Sequence, residues 1–212
     1  MRIRTTLVLE HEGRCFPLQR IGSGWTSLVY QVQGRRQDSR LLLVKEREYR
    51  QRKISTKAPL VERRYIWQGP DTEDDAEIRE VSKHFPKIKR VEGTDNMYWM
   101  LRYEVFKANP TKKQKETLAY QHMQLVLSTV SEAAEAYNKS SANEIASNWG
   151  FRHILLQVLH AKEEQYPRSL WLAFLQLLDA VMCYDASLDL HIKNFAISPK
   201  GDLIFLDPFG PF

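Results

Sequence analysis

The order of apolar and polar positions divides the chain into a strand-rich first half and a helix-rich second half. Residues 6–10, 15–21, 27–32 and 40–45 are short apolar runs that include β-branched and aromatic positions. They are separated by turn-forming stretches, Gly22-Ser23-Gly24 and the polar run from Gly34 to Ser39, so the last three predict antiparallel strands in succession. Residues 46–70 are charged and hold Pro59, Gly69 and Pro70, which predicts a long connection. Thr72 offers a cap, and the acids Glu73, Asp74 and Asp75 suit a first helical turn, predicting a helix to about His84 that Phe85-Pro86 ends. Residues 87–92 and 97–106 then predict a hairpin across Gly93-Thr94-Asp95-Asn96.

After Asn109-Pro110 the period changes. Ala119, Met123, Val126, Val130, Ala133 and Tyr137 recur at steps of three and four, which sets them on one face of a long helix. Ile154, Leu155, Val158 and Leu159 mark a second helix; Leu170, Phe174, Leu177 and Val181 mark a third that opens near Pro167. The chain returns to a strand pattern at residues 194–198 and 203–207, joined by a Pro199-Lys200-Gly201-Asp202 turn. The pattern as a whole is α+β.

Composition narrows the class. With 212 residues, 43% hydrophobic and 11% aromatic, the chain can bury a core, which excludes a disordered or low-complexity protein. No apolar run approaches the roughly 18 residues of a membrane span. The opening residues lack the apolar stretch of a signal peptide, so a cytoplasmic protein without membrane partners is expected. Cys15 and Cys183 belong to no CxxC pair, and the six histidines form no HExxH. The net charge of +5 invites nucleic acid, but basic and acidic residues are interleaved, as from Lys45 to Lys53, which points to a solvated face instead.

The most specific chemistry lies late in the chain. Asp189 precedes Asn194 by five positions, and Asn194 precedes Asp207 by thirteen, with a hairpin pattern between them. A hairpin beginning at the Asn and ending at the Asp brings an amide oxygen and a carboxylate to one end of a sheet. That pair suits a hard Mg²⁺ ion held against phosphates, while the other carboxylate is placed to orient an acceptor hydroxyl. Nearer the start, Gly22-Ser23-Gly24 lies between two strands and is followed, one strand later, by Leu43-Val44-Lys45. Glycines let a strand turn approach phosphates closely.

These motifs resemble those of the protein-kinase-like superfamily along nearly the whole chain. The Asp189-Leu190-His191-Ile192-Lys193-Asn194 string and the Asp207-Pro208 pair are most similar to the small serine/threonine protein kinases of T7-like bacteriophages. The resemblance implies a bilobal fold. Residues 1–106 would be an N-lobe of antiparallel sheet and one helix, and residues 107–212 a truncated, mainly helical C-lobe. It implies ATP and Mg²⁺ as cofactors, Asp189 as catalytic base, Asn194 and Asp207 as metal ligands, and Lys45 as the phosphate contact. Gly22, Ser23, Gly24 and Val29 would cover the nucleotide, Glu77 or its fallback Glu80 would hold Lys45, and the backbone from Glu104 to Phe106 would face the adenine. The implied activity is modification of host proteins in the host cytoplasm.

Departures from the pattern leave other readings open. Ser187 and Leu188 stand where His and Arg of a His-Arg-Asp triplet are usual, and Pro208 replaces the phenylalanine of Asp-Phe-Gly. The sequence stops five residues after Asp207, without the segments that usually dock a peptide, so a partner or a second copy is expected to complete the C-lobe. The same Asp-x-His-x-x-Asn string suits aminoglycoside- or choline-type small-molecule kinases. A third reading is a kinase-shaped binding protein that inhibits or redirects a host factor.

Overall fold

The computed structural model describes residues 7–11, 14–23, 27–32, 41–46, 80–91, 97–140, 148–184 and 187–210. The fold is mixed α+β, and the described residues fall into two compact units. The first holds the described residues before 47 together with 87–91 and 97–102; the second holds 80–86 and everything described from Tyr103 onward. No helix among the described residues is long and apolar enough to cross a membrane.

The first unit is a six-stranded antiparallel sheet. Its strands are β1 (Leu7–His11), β2 (Arg14–Ser23), β3 (Ser27–Val32), β4 (Leu41–Glu46), β5 (Ile88–Arg90) and β6 (Met97–Leu101), in the order β1-β2-β3-β4-β6-β5. Buried Tyr30 and Val91 gather Phe16, Leu18, Leu28, Val32, Met97 and Trp99. Within each strand those residues are two apart, so they share the face that the alternating pattern makes apolar. The three strands expected in succession are β2, β3 and β4.

Among the described residues from Tyr103 onward, the second unit has four α-helices: α1 (Lys112–Lys115), α2 (Leu118–Ser140), α3 (Asn148–Ala161) and α4 (Arg168–Tyr184). Ala119, Met123, Val126 and Ala133 of α2 are wholly buried, as are Leu155 and Leu159 of α3 and Leu170 and Phe174 of α4. The stripes read from the sequence are therefore the core faces. One buried polar position breaks the α2 stripe. Thr129 shares a hydrogen bond of 2.6 Å with the Tyr166 hydroxyl, and its own hydroxyl lies 2.9 Å from the Leu125 carbonyl. Burial pushes the Tyr166 phenol up to about 12.

Two small sheets complete this unit. One has the order β10-β9-β7, from β7 (Glu104–Val105), β9 (Phe195–Ile197) and β10 (Leu203–Phe205); the other pairs β8 (Ser187–Leu188) with β11 (Phe209–Gly210). The expected single strand over residues 97–106 is thus two strands in two sheets. β6 ends where the Leu101 N–H reaches the Lys87 carbonyl, and the chain then pairs with β9 instead.

The division between the units differs from a boundary at residue 106, and it also places residues 80–86 with the helices. The reason is local anchoring. The Phe85 ring lies 6.1 Å from that of Phe205 inside the helical core, and the Phe205 N–H donates to the His84 carbonyl at 2.9 Å. The imidazole of His84 is bonded on both sides. Its Nδ1–H donates to the Leu203 carbonyl at 2.8 Å, because a carbonyl only accepts, and Nε2 then accepts from the Ser169 hydroxyl at 3.0 Å.

Burial holds the His84 pKa below the usual histidine value, opposed in part by the bond to Leu203. The unfolded chain therefore takes up a proton that the folded chain refuses. The stability from this network is complete above about pH 6.5 and is lost as pH falls below it. His122 is shifted in the same direction, also by burial. Thermal melts from pH 7.5 to pH 5 are expected to show wild-type Tm falling more steeply than that of His84→Gln. Parallel curves would remove His84 as the cause.

Candidate functional site

The late motif is assembled around one residue. Asn194 closes a 3-10 turn, Ile192–Asn194, that His191 caps, and it is only 8% exposed. Its side-chain Nδ2 donates to the Asp189 carbonyl at 2.7 Å. Its own carbonyl accepts from the Leu206 N–H at 2.8 Å and from the Asp207 N–H at 3.4 Å. Main-chain and side-chain bonds of a single asparagine thus draw the main chain of Asp189 and of Asp207 to Asn194.

Other elements hold the two ends of this cluster. β8 and β11 pair Leu188 with Phe209, and the Asp189 N–H donates to the Pro208 carbonyl at 2.8 Å. The residues preceding Asp189 and following Asp207 are therefore zipped together. The hairpin between Asn194 and Asp207 is set by the pairing of β9 with β10 and by a turn in which the Ser198 hydroxyl accepts from the N–H groups of Lys200 and Asp202. Gly201 in that turn has φ of 92°, a conformation that L residues with a side chain rarely adopt.

The chemistry of the cluster follows from the side chains it holds. Only the NH₂ of an asparagine can donate to a carbonyl, so Asn194 Oδ1 is its remaining polar atom, and it has no protein partner among the described residues. Asp207 is exposed, and the Asp189 side chain is 42% exposed. An amide oxygen and a carboxylate are both ligand types for Mg²⁺, which takes few protein ligands and fills its shell with phosphate and water oxygens. Among the described residues no group of three or more His, Cys, Asp and Glu is arranged for a metal. His191 adds a neighbour that the motif alone does not define. Its Nδ1 accepts from the Lys193 N–H at 3.2 Å, which leaves the proton on Nε2, 3.6 Å from Asp189 Oδ2.

Asn194→Asp keeps an oxygen for a metal but removes the amide donor to the Asp189 carbonyl and sets a carboxylate against it. A loss of about 1–3 kcal/mol in unfolding free energy is expected from that unsatisfied buried contact. Urea denaturation checks it. Unchanged stability would mean that the amide bond does not hold the loop.

The residues expected in the first unit lie as follows. The register aligns Ser23, Leu28 and Lys45 across β2, β3 and β4, and aligns Gly22, Val29 and Val44 beside them. The end of β2, the start of β3 and the end of β4 therefore meet at one edge of the sheet. The pairing of β2 with β3 shifts between Arg20 and Gly22, a β-bulge at the approach to the glycine turn. Gly24 and Glu77 lie outside the described residues. Glu80, the fallback for Glu77, is engaged by Lys83 on its own turn, and that bond lowers its carboxyl pKa.

The adenine-facing backbone expected at Glu104 to Phe106 is partly committed elsewhere. The Phe106 side chain is 1% exposed in the helical core, and its N–H donates to the Phe195 carbonyl at 3.2 Å. Phe106 thus secures β7 to β9. The residue that sequence reasoning missed here is Gln114, which is buried and donates from Nε2 to both Glu104 Oε1 and the Val105 carbonyl, each at 3.2 Å. Thr111 three positions earlier was the available signal, because a Thr-x-x-Gln string marks a capping box and so a helix start. No known family, curated protein or solved structure matches the chain.

Proposed function

We propose that this chain is an ATP- and Mg²⁺-dependent phosphotransferase of bilobal protein-kinase-like fold, acting on serine or threonine hydroxyls of proteins, in the manner of the small phage kinases it resembles. The observation that carries the reading is the convergence of Asp189, Asn194 and Asp207 on the bonds of Asn194. Asn194 Oδ1 and the Asp207 carboxylate would hold Mg²⁺, whose chemistry there is neutralising charge on the transferred phosphoryl group. Gly22, Ser23, Val29 and Lys45 would contact the nucleotide.

Asp189 supplies a carboxylate that takes the proton of the acceptor hydroxyl as its oxygen bonds to the γ-phosphorus and the bond to the ADP oxygen breaks. The gain comes mostly from positioning and from charge stabilisation rather than covalent catalysis.

The test is incubation of the purified chain with γ-labelled ATP, Mg²⁺ and a bacterial lysate. Label on proteins that disappears with Asp189→Ala, and with EDTA, supports the reading. Label confined to small metabolites would replace it with a small-molecule kinase. Nucleotide binding without any transfer would replace it with a kinase-shaped binding protein.

A further inference from the structure

We propose that Lys107, Lys112, Lys113 and Lys115, with the exposed aliphatic residues Val105 and Leu118, form a docking surface for an acidic segment of the protein acceptor. The inference rests on the phosphotransferase reading for its word acceptor and on the structure of the second unit for its surface.

The placement follows from the bonds around β7. Gln114 is the inward residue of α1, tied to Glu104 and Val105. Successive residues of a helix turn by about 100°, so with Gln114 inward the lysines at 112, 113 and 115 fan over the outer side of the turn. All three are exposed, as is Lys107. The Phe106 ring lies 6.1 Å from that of Tyr120, which brings the first turn of α2, and Leu118 with it, to the same place. Leu118 is 60% exposed and Val105 43%. The surface also adjoins the chemistry. Lys107 follows Phe106, whose N–H is bonded to Phe195, and Asn194 directly precedes Phe195.

The charge is compensated only in part. Residues 103–118 hold four lysines against two glutamates. Glu116 lies 4.0 Å from Lys112, with both side chains largely in water, and Glu104 is held by Gln114. Lys107, Lys113 and Lys115 make no ion pair among the described residues. Four cations around two aliphatic patches fit a peptide that carries carboxylates and an apolar side chain. Single-stranded nucleic acid is less well matched, because it stacks on aromatic rings and the exposed large apolar side chains here are aliphatic.

Fluorescence anisotropy tests this with two fluorescein-labelled peptides. One carries a serine and a leucine flanked by aspartates; the other has asparagine at the aspartate positions. The wild-type chain is expected to bind the acidic peptide about tenfold more tightly, since four exposed ion pairs, that of Lys112 weakened by Glu116, contribute a factor of up to about two each. The preference should shrink as salt is raised. Lys112→Glu, Lys113→Glu and Lys115→Glu combined should abolish it, Lys107→Glu alone should reduce it about twofold, and Lys139→Glu at the far end of α2 should leave it unchanged.

Equal binding of the two peptides by the wild type, or a preference that survives the triple substitution, overturns the proposal. So does tighter binding of an oligouridylate than of the acidic peptide. Acid-dependent binding without phosphate transfer to the serine would sink the phosphotransferase reading and leave the surface standing. Transfer at equal kcat/KM to both peptides would do the reverse.

Discussion

Phe205→Ala is expected to lower the unfolding free energy by about 3–5 kcal/mol, the range for removing a fully buried phenylalanine side chain. Phe205 is wholly buried, and its ring meets those of Phe195 at 5.6 Å and of Phe85 and Phe174 at 6.1 Å. It therefore joins the turn at residues 83–86, the helix α4 and the hairpin β9–β10. The strand that carries the ring is fixed by main-chain bonds and cannot shift to fill the space. The Phe205 N–H is bonded to His84, and the next residue's N–H to Asn194. A cavity is expected, and the Asn194 carbonyl loses the rigid strand that presents Leu206 and Asp207 to it. Phe205→Leu fills most of the space and should cost less than about 1.5 kcal/mol. Urea denaturation distinguishes them, as a large drop in midpoint for alanine and a small one for leucine, with the slope unchanged. Similar midpoints for the two variants would mean that the four rings do not form the support of the hairpin.

Much of this arrangement was legible in the sequence, and the exceptions have a common cause. Ala119, Met123 and Val126 recur at helical steps, and the structure buries all three completely. The grouping of Asp189, Asn194 and Asp207 was legible because a short hairpin leaves few ways to connect residues thirteen positions apart. What local pattern could not give was tertiary choice of partner. β7 continues the apolar run of β6, yet it leaves that sheet because β9 offers an unpaired edge. β8 and β11 are two residues each, too short to show any period. Gln114 and His84 belong to residue types that usually face water, and they are buried here because each finds two partners inside. Phe106 read as part of an adenine-facing stretch, since nothing in its own neighbourhood announces that Phe195 will take its N–H.

Asp189→Asn should separate the chemistry of the site from its architecture. The bonds that fix this residue use its main chain: its N–H donates to Pro208 and its carbonyl accepts from Asn194. Its side chain is 42% exposed, with the His191 Nε2 at 3.6 Å. Replacing one oxygen by NH₂ therefore leaves the loop's support in place, and stability is expected to stay within about 0.5 kcal/mol of wild type. The amide has almost no basicity and cannot take the proton of an attacking hydroxyl. Under the phosphotransferase reading the transfer rate should fall about 10²–10⁴-fold, the contribution of a positioned general base. Mg·ATP affinity should change little, because Asn194 and Asp207 rather than Asp189 would hold the metal. Single-turnover transfer from labelled ATP, measured alongside nucleotide binding, reads both quantities. A rate that survives the substitution removes Asp189 as the base. A rate lost together with nucleotide affinity reassigns it to the binding of the metal or phosphates.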